Sequence, residues 1–238
     1  MQQVPPFITA RPFDTEHSQR VRRRTDGALR RRATSSMKES IRIVKDEHRS
    51  ISTVLHALKH LTRITQDASI EPEFKAFHAM IRYIDEYPER LHHPKEERFL
   101  FARLATRWPA SRPLIKRLES EHKEGARLVR ELERALLLFE DDVSSREGRI
   151  NFADMVDQYA QFHWDHMRLE EEELLPLAER YFTPQDWSIV DEGFSSNTDP
   201  IAQVKEKDFQ ALFSRLVSLA PEPVGLGEPW KKVAPVAD

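Results

Sequence analysis

Four segments of the chain each place a histidine where an amphipathic helix would place an apolar residue, and two of them add a glutamate one turn later. The second segment contains His92-x3-Glu96 and the fourth contains His166-x3-Glu170. Residues four apart lie on one face of an α-helix, so each pair directs an imidazole and a carboxylate to the same side. Such a pair can bind one metal ion through the ring and share a second through the carboxylate. The spacing therefore predicts an internal metal site in a helical bundle.

The first and third segments carry lone histidines, His48 and His122, within apolar patterns of helical period. The first pattern consists of Ile41, Val44, His48, Ile51, Leu55 and Leu58. The third consists of Leu114, Leu118, His122, Gly125, Val129, Leu132 and Leu136. A single histidine on an apolar face is more often a packed core residue than a ligand. Four such segments together, two of them with carboxylates that need a cation once buried, favour the metal site.

The segments around these residues resemble the motifs of hemerythrin-like, or HHE cation-binding, proteins. The resemblance covers residues 38–181 and is carried by Asp46-Glu47-His48-Arg49, His92-His93-Pro94-Lys95-Glu96-Glu97-Arg98-Phe99-Leu100-Phe101, Glu121-His122-Lys123-Glu124 and His166-Met167-Arg168-Leu169-Glu170-Glu171. It implies a four-helix bundle that holds two non-haem irons, bridged by two carboxylates and bound terminally by about five histidines. It also implies a role in binding O2 or in responding to peroxide, nitric oxide or iron supply.

Carried over to this chain, the resemblance implies two bridging and several terminal ligands. The implied set is Glu96 and Glu170 as bridges, His48 and His92 on one iron, and His122 and His166 on the other. Hemerythrins proper place a further histidine one turn after the position of His122, where this chain has Ala126. His163, three residues before His166 on the same inward face, is our candidate for the missing ligand. The alternative is that His163 packs beside the site and leaves one iron with an open position.

The second helix allows another register, because His93-x3-Glu97 repeats the spacing of His92-x3-Glu96. Continuation of the apolar pattern from Ile84 favours the first pair as ligands, and His93 and Glu97 stay as substitutes.

Other polar residues near the expected ligands are assigned different roles. Tyr159, one turn before His163, is a candidate proton donor, and its alternative role is packing in the core. The glutamates that flank the ligands are predicted to be solvated charges, although one could orient a ligand imidazole. They are Glu47, Glu121, Glu171 and Glu172.

A ferritin-like di-iron carboxylate bundle is the nearest competing architecture. Glu89-x-x-His92 and Glu119-x-x-His122 both match its Glu-x-x-His signature. In that architecture the two signatures belong to non-adjacent helices, whereas here they fall on consecutive ones. The histidine-rich alternative is therefore preferred.

Helical periodicity, capping residues and the positions of proline and glycine predict an all-α fold. We expect an antiparallel up-down four-helix bundle over residues 37–182, with additional helices after it. The four bundle helices are expected over residues 37–66, 72–105, 113–141 and 150–181. Pro88 and Pro94 should each bend the second helix. Residues 183–220 are predicted to form accessory helices that pack on the bundle, one ending near residue 193 and another over about 200–218. Residues 221–238 should form an extended tail.

Composition and charge exclude several classes of protein. The chain of 238 residues has no cysteine, which excludes disulfides, thiolate metal sites and cysteine nucleophiles. No apolar run approaches the roughly 20 residues of a membrane span, and no signal peptide is recognised, so we expect a cytoplasmic protein without a membrane partner. Residues 1–36 hold eight arginines against three acidic residues, whereas the remainder carries 29 basic and 37 acidic residues. We predict that residues 1–36 are a disordered Arg-rich extension, and we disfavour nucleic-acid binding.

The predicted function follows from the donor set. Imidazole and carboxylate suit iron, zinc, manganese or copper, and two shared carboxylates favour a di-metal site with iron as the first choice. We therefore predict a non-haem di-iron protein that binds or reacts with O2, peroxide or nitric oxide. An iron- or oxygen-responsive sensor and a ferritin-like di-iron oxidase are the alternatives. The motifs decide neither whether the protein is an enzyme nor which protein partner it has.

Overall fold

The computed structural model describes residues 39–195, which form five helices and no β-strand. The helices are α1 (Glu39–Ile64), α2 (74–107), α3 (Arg112–Asp141), α4 (146–181) and α5 (Pro184–Ser195). Helices α1 to α4 each pack against the next, and α4 packs against α1, which closes an antiparallel four-helix bundle. The predicted fold class is therefore confirmed.

Two of the bundle helices contain wide π-helical turns. Helix α2 is α-helical over Phe74–Ile84, His93–Lys95 and Ala102–Arg107, and π-helical over Asp85–His92 and Glu96–Phe101. Helix α4 is α-helical over Arg146–Leu169 and Leu175–Tyr181, with a π-helical stretch at Glu170–Leu174 between them. Insertions of this kind inside α-helices are frequent at functional sites. Here all three lie beside histidines or glutamates of the predicted metal site.

The two prolines of α2 fall within this irregular region. Pro88 lies inside the first π-helical stretch, and Pro94 lies in the short α-helical turn that follows it. The backbone N–H of His93 bonds to the carbonyl of Pro88, five residues back. A proline provides no N–H and disrupts the regular helical hydrogen-bond ladder, and the widened turns are where α2 accommodates both. The helix thus passes through both prolines without ending.

Two apolar clusters fill the bundle on either side of a polar layer. On α1, Ile51, Leu55 and Leu58 belong to the first cluster, whereas Ile41 and Val44 belong to the second. His48 lies between these groups in sequence. The same order holds on α3, where His122 separates Leu118 from Leu128 and the residues beyond it. The four bundle helices therefore carry their inward polar residues at one common level.

Helix α5 packs on α1 and on the second π-helical stretch of α2. Thr183 and Asp186 cap its start reciprocally, since Thr183 N–H donates to Asp186 Oδ2 at 2.9 Å and Asp186 N–H donates to Thr183 Oγ1 at 3.2 Å. Arg107 of α2 binds the same carboxylate at 2.6 and 3.0 Å. Gly193 lies directly against Phe99, where a Cβ would come within 2.4 Å of the ring. The absence of a side chain at Gly193 is what permits this close approach.

The described range does not include every segment for which a prediction was made. The Arg-rich extension over residues 1–36, the helix predicted over about 200–218 and the extended tail over 221–238 lie outside it. Within the range, the fourth bundle helix begins earlier than predicted. Ser145 caps it by accepting a hydrogen bond from Gly148 N–H at 3.0 Å, so Gly148 belongs to its first turn. None of the helices in residues 39–195 has the length and apolar character needed to cross a membrane.

Candidate metal centre

The polar layer brings together six of the residues predicted as metal ligands. Two groups of side-chain donors form there, and within each group the donor atoms lie within 4.8 Å of one another. The first group is His48, His92, Glu96 and Glu170, and the second is Glu96, His122, His166 and Glu170. All six residues are buried, and both glutamates have no exposed surface. Each bundle helix contributes at least one member.

Glu96 and Glu170 belong to both groups, and each directs one oxygen to each group. Glu96 Oε1 lies 3.5 Å from His92 Nε2, and Glu96 Oε2 lies 3.8 Å from His122 Nε2. Glu170 Oε2 lies 3.3 Å from His48 Nε2, and Glu170 Oε1 lies 3.5 Å from His166 Nε2. The two carboxylates therefore have the arrangement of bridges between two neighbouring positions.

The imidazoles present the same nitrogen to the centre because glutamates bind the other nitrogen. His48 Nδ1 lies 2.9 Å from Glu171 Oε1, and His92 Nδ1 lies 2.8 Å from Glu47 Oε2. In each case an Nδ1–H that donates to a carboxylate leaves the Nε2 lone pair free for a metal.

The second pair of imidazoles follows the same rule. His122 Nδ1 lies 2.8 Å from Glu97 Oε1, and His166 Nδ1 lies 2.9 Å from Glu121 Oε2. Three of these outer glutamates, Glu47, Glu121 and Glu171, were expected to be solvated charges. The structure agrees instead with the alternative role, since each of the three lies within hydrogen-bond distance of a histidine on a neighbouring helix. Glu172 is exposed, as expected.

The distances between the carboxylate oxygens and the Nε2 atoms of the centre suit ligands of a shared cation better than they suit hydrogen bonds. Both oxygens of Glu96 and of Glu170, and the Nε2 atoms of His122 and His166, find no hydrogen-bond partner among the described residues. Their separations of 3.3–3.8 Å exceed those of ordinary N–H···O bonds. Donors bound to one ion at about 2.1 Å, with angles of about 90–120°, lie roughly 3.0–3.6 Å apart. Buried polar atoms without partners are costly, and metal ions would satisfy all of them.

The carboxylates also make the layer favourable for positive charge. Burial opposes protonation of His48, but the carboxylates of Glu170, Glu171 and Glu96 outweigh it and raise its pKa well above the ordinary value. Burial likewise opposes protonation of His122, yet Glu170 and Glu97 raise its pKa to about 10. Protons or metal cations can supply this positive charge, and they compete for the same Nε2 lone pairs.

A buried lysine extends the contacts of the centre toward α5. Lys95 is 3 % exposed, and its Nζ lies 2.5 Å from Glu47 Oε1 and 5.5 Å from the ring centroid of Phe194 in α5. Burial raises the pKa of Glu47, but its bond to His92 and the charge of Lys95 bring the pKa down to about 2. A line of contacts thus joins α5 to the His92 imidazole through Lys95 and Glu47.

His163, predicted as the missing ligand, is buried but joins neither group. Its Nε2 lies 3.1 Å from Tyr159 Oη and 3.3 Å from Glu89 Oε1. Tyr159, the candidate proton donor, donates to Glu89 Oε1 at 3.0 Å. A third group of donors within 4.8 Å of one another instead contains His93, with His122 and His166. His93 was a substitute in the alternative register, and it is buried in the centre together with His92.

The glutamates of the Glu-x-x-His signatures lie outside these groups. Among the described residues, neither Glu89 nor Glu119 joins a set of three or more metal-ligating donors. Glu89 binds His163 and Tyr159 instead, which gives no support to the ferritin-like alternative.

Comparison with known proteins agrees with the geometry. The hemerythrin HHE cation-binding domain matches residues 39–178, which include every residue of the two donor groups. No curated protein and no solved structure shows significant similarity to the chain. The match covers more than half of the chain and ends within α4. The chain therefore belongs to the hemerythrin HHE cation-binding domain family.

Proposed function

We propose that the chain binds two non-haem iron ions in the polar layer and uses them to bind, or react with, O2 or related small molecules such as peroxide and nitric oxide. The observation that carries this proposal is the division of each carboxylate between two groups. Glu96 and Glu170 each direct one oxygen to the His48–His92 pair and the other oxygen to the His122 side. A single ion would leave half of these oxygens without a partner.

The choice of iron is supported by the protein's donor atoms and by the small molecules that the site is proposed to bind. Histidine nitrogen and carboxylate oxygen suit iron, zinc, manganese and copper, and the chain has no cysteine to favour softer ions. Iron, when bound, supplies the change of oxidation state that chemistry with O2, peroxide or nitric oxide requires. The helices of the bundle supply the rest of the site.

The chain's own residues would perform three tasks. His48, His92, His122 and His166 would each hold an ion through Nε2, while the outer glutamates hold the four rings in orientation through Nδ1. Glu96 and Glu170 would balance the positive charge of the ions. The apolar clusters on both sides of the layer would limit the access of water.

A spectroscopic comparison tests the proposal. Iron-loaded full-length protein is reduced without oxygen, exposed to O2, and then depleted of O2 again, with zinc-loaded protein as a control that cannot change oxidation state. Absorption bands that appear with O2 and disappear on its removal indicate carriage, and steady consumption of peroxide or nitric oxide indicates catalysis. If iron-loaded protein behaves as the zinc form does with all three molecules, the proposed reactivity is wrong even where metal binding holds.

A metal-dependent regulatory role is a second candidate, and the position of α5 favours it. The contact from Phe194 through Lys95 to Glu47 connects this helix to a proposed ligand. Loss of metal would then loosen residues 184–195. Hydrogen exchange of this peptide with and without iron measures the effect, and equal protection in both states would contradict the role.

A further inference from the structure

His92 and His93 are consecutive in sequence, yet both are buried in the polar layer. Successive residues of a regular α-helix point about 100° apart, so they rarely face one site together. Here the N–H of His93 bonds five residues back, to Pro88, at the end of a π-helical stretch. His92 is 1 % exposed and His93 is 4 % exposed. The wider turn accompanies an inward position for both rings.

The ring of His93 faces the second donor group. It stacks on His122 with ring centroids 4.1 Å apart and an interplanar angle of 8°, and its centroid lies 5.4 Å from that of His166. One nitrogen of His93 lies within 4.8 Å of donor nitrogens of both residues. Three imidazole donors therefore lie together, and two of them, His122 and His166, also belong to the group that contains Glu96 and Glu170.

We propose that His93 supplies the fifth imidazole of the centre and binds the ion held by His122 and His166, with Glu89 as its positioning residue. This inference rests on the proposed two-ion site. With Glu96 and Glu170, that ion would have five protein ligands. The ion at His48 and His92 would have four and therefore more room for an exogenous ligand.

Glu89 is the carboxylate that faces His93, at a longer distance than the outer glutamates keep from the other ligands. Glu89 Oε2 lies 3.4 Å from His93 Nδ1, and the Glu89 side chain is only 4 % exposed. His93 Nδ1 thus faces a carboxylate, although no hydrogen bond forms between them. If Nδ1 donates to Glu89 when metal binds, Nε2 is the nitrogen left for the ion, as in the other four imidazoles.

Tyr159 and His163 both contact Glu89, which explains why His163 lies outside the two donor groups. Glu89 Oε1 accepts a hydrogen bond from Tyr159 and also lies 3.3 Å from His163 Nε2. A Cβ at Gly125 would come within 2.9 Å of Glu89 Oε1 and 3.2 Å of His163 Cε1. The glycine at residue 125 of helix α3 leaves space for this carboxylate in its observed position. His163 is therefore part of the support for Glu89.

A matched pair of variants in the full-length protein tests the assignment. His93→Ala and His163→Ala are titrated with Fe2+ and, separately, with Co2+ as a spectroscopic probe. His93→Ala should weaken one of the two ions by at least about tenfold and alter the visible spectrum of bound cobalt. His163→Ala should retain two ions, because it removes a neighbour of Glu89 and no ligand, and its change in affinity should be smaller than that of His93→Ala. Circular dichroism of the metal-free variants shows whether each has folded.

Two further variants separate ligation from folding. His93→Gly with added imidazole should regain the weakened ion and its cobalt spectrum, which a purely structural residue would not allow. Glu89→Gln should weaken the same ion by roughly tenfold and shift the same cobalt bands. If His93→Ala keeps both ions with unchanged affinity and spectrum, the inference is wrong. Loss of one ion in His163→Ala alone would identify His163 as the ligand instead, and failure of the wild type to bind two ions would overturn the two-ion site itself.

Discussion

Glu47 on α1 contacts Lys95 on α2 through a 2.5 Å approach of Oε1 to Nζ, and both side chains are almost fully buried. The other oxygen of Glu47 lies 2.8 Å from His92 Nδ1. A buried carboxylate needs a compensating charge, and Lys95 supplies it at the point where Glu47 orients a proposed ligand. The pair therefore supports the proposed metal centre, although neither residue belongs to the two donor groups.

Replacement of Lys95 tests this relationship. Lys95→Met keeps the length of the side chain and removes its charge, so Glu47 should hold His92 less firmly and the affinity for metal should fall about 10–100-fold. Isothermal titration with Zn2+ measures the affinity. Lys75→Met, at an exposed position of α2, is the control and should bind as the wild type does. Equal affinities for both variants would show that Lys95 serves packing alone.

The two glutamates Glu170 and Glu172 give a second matched pair. Glu170 is fully buried and directs its oxygens to both donor groups, whereas Glu172 is exposed. Glu170→Ala should reduce the content of both ions, because a bridge is lost from each. Glu172→Ala should leave both ions in place. Metal content is measured by plasma emission spectrometry on purified protein, and a similar loss in the two variants would mean that Glu170 is not a bridge.

The sequence predicted the fold and the inward histidines because helical periodicity is a local property. His48 and His122 occupy positions where the apolar pattern expects leucine, and the structure places both in the centre. The same period of 3.6 residues could not place His93, since the π-helical stretch before it changes the direction of the side chains. Pro88 and Pro94 are the available signal, since they predict a bend, and Pro94 perturbs the register of α2, which is why His93 is kept as a substitute ligand.

The outer glutamates could not be assigned to particular histidines from the sequence, for a different reason. Glu47 and Glu171 reach histidines on other helices, and such contacts depend on how closely two helices approach. The spacing of residues along one helix carries no information on that distance. His163 lies on the inward face of α4, as predicted. Its Nε2, however, lies near Glu89 and Tyr159 and not in either donor group.

The close contact between Gly193 and Phe99 predicts that a side chain at residue 193 destabilises the packing of α5 on α2. Gly193→Ala would place a Cβ too close to the ring of Phe99, so α5 or the ring must shift, at a cost of about 1–3 kcal/mol in the free energy of unfolding. Urea denaturation measures the loss. In the Phe99→Ala background the same change should cost much less, because the ring is gone. Equal costs in the two backgrounds would show that the ring is not the obstacle.

The capping carboxylate of α5 predicts a dependence of stability on pH. Burial raises the pKa of Asp186, but hydrogen bonds from Arg107 and Thr183 outweigh burial and lower it below the ordinary value. A carboxylate with a lowered pKa in the folded protein stabilises it above the unfolded pKa of about 3.9, and the stabilisation is lost as the pH falls through the folded value. Arg103 also faces this carboxylate, at 3.4 Å.

Asp186→Asn isolates this contribution. The variant should be less stable than the wild type at pH 6, and the difference should shrink as the pH falls below about 4. Urea unfolding at several pH values measures it. Asp154→Asn, at an exposed position of α4, should show little difference from the wild type throughout. If the difference in unfolding free energy between the wild type and Asp186→Asn stays constant down to pH 3, the ionised carboxylate of Asp186 does not stabilise the protein.

The number of iron ions per chain tests the two-ion centre most directly. Full-length protein expressed with ample iron, purified without chelators and analysed for iron and protein together should contain close to two irons per chain. The Glu96→Ala, Glu170→Ala double variant should contain almost none, because both bridges are lost. Reproducible binding of one ion by the wild type, with no second ion taken up under excess Fe2+, would contradict the division of Glu96 and Glu170 between two metals.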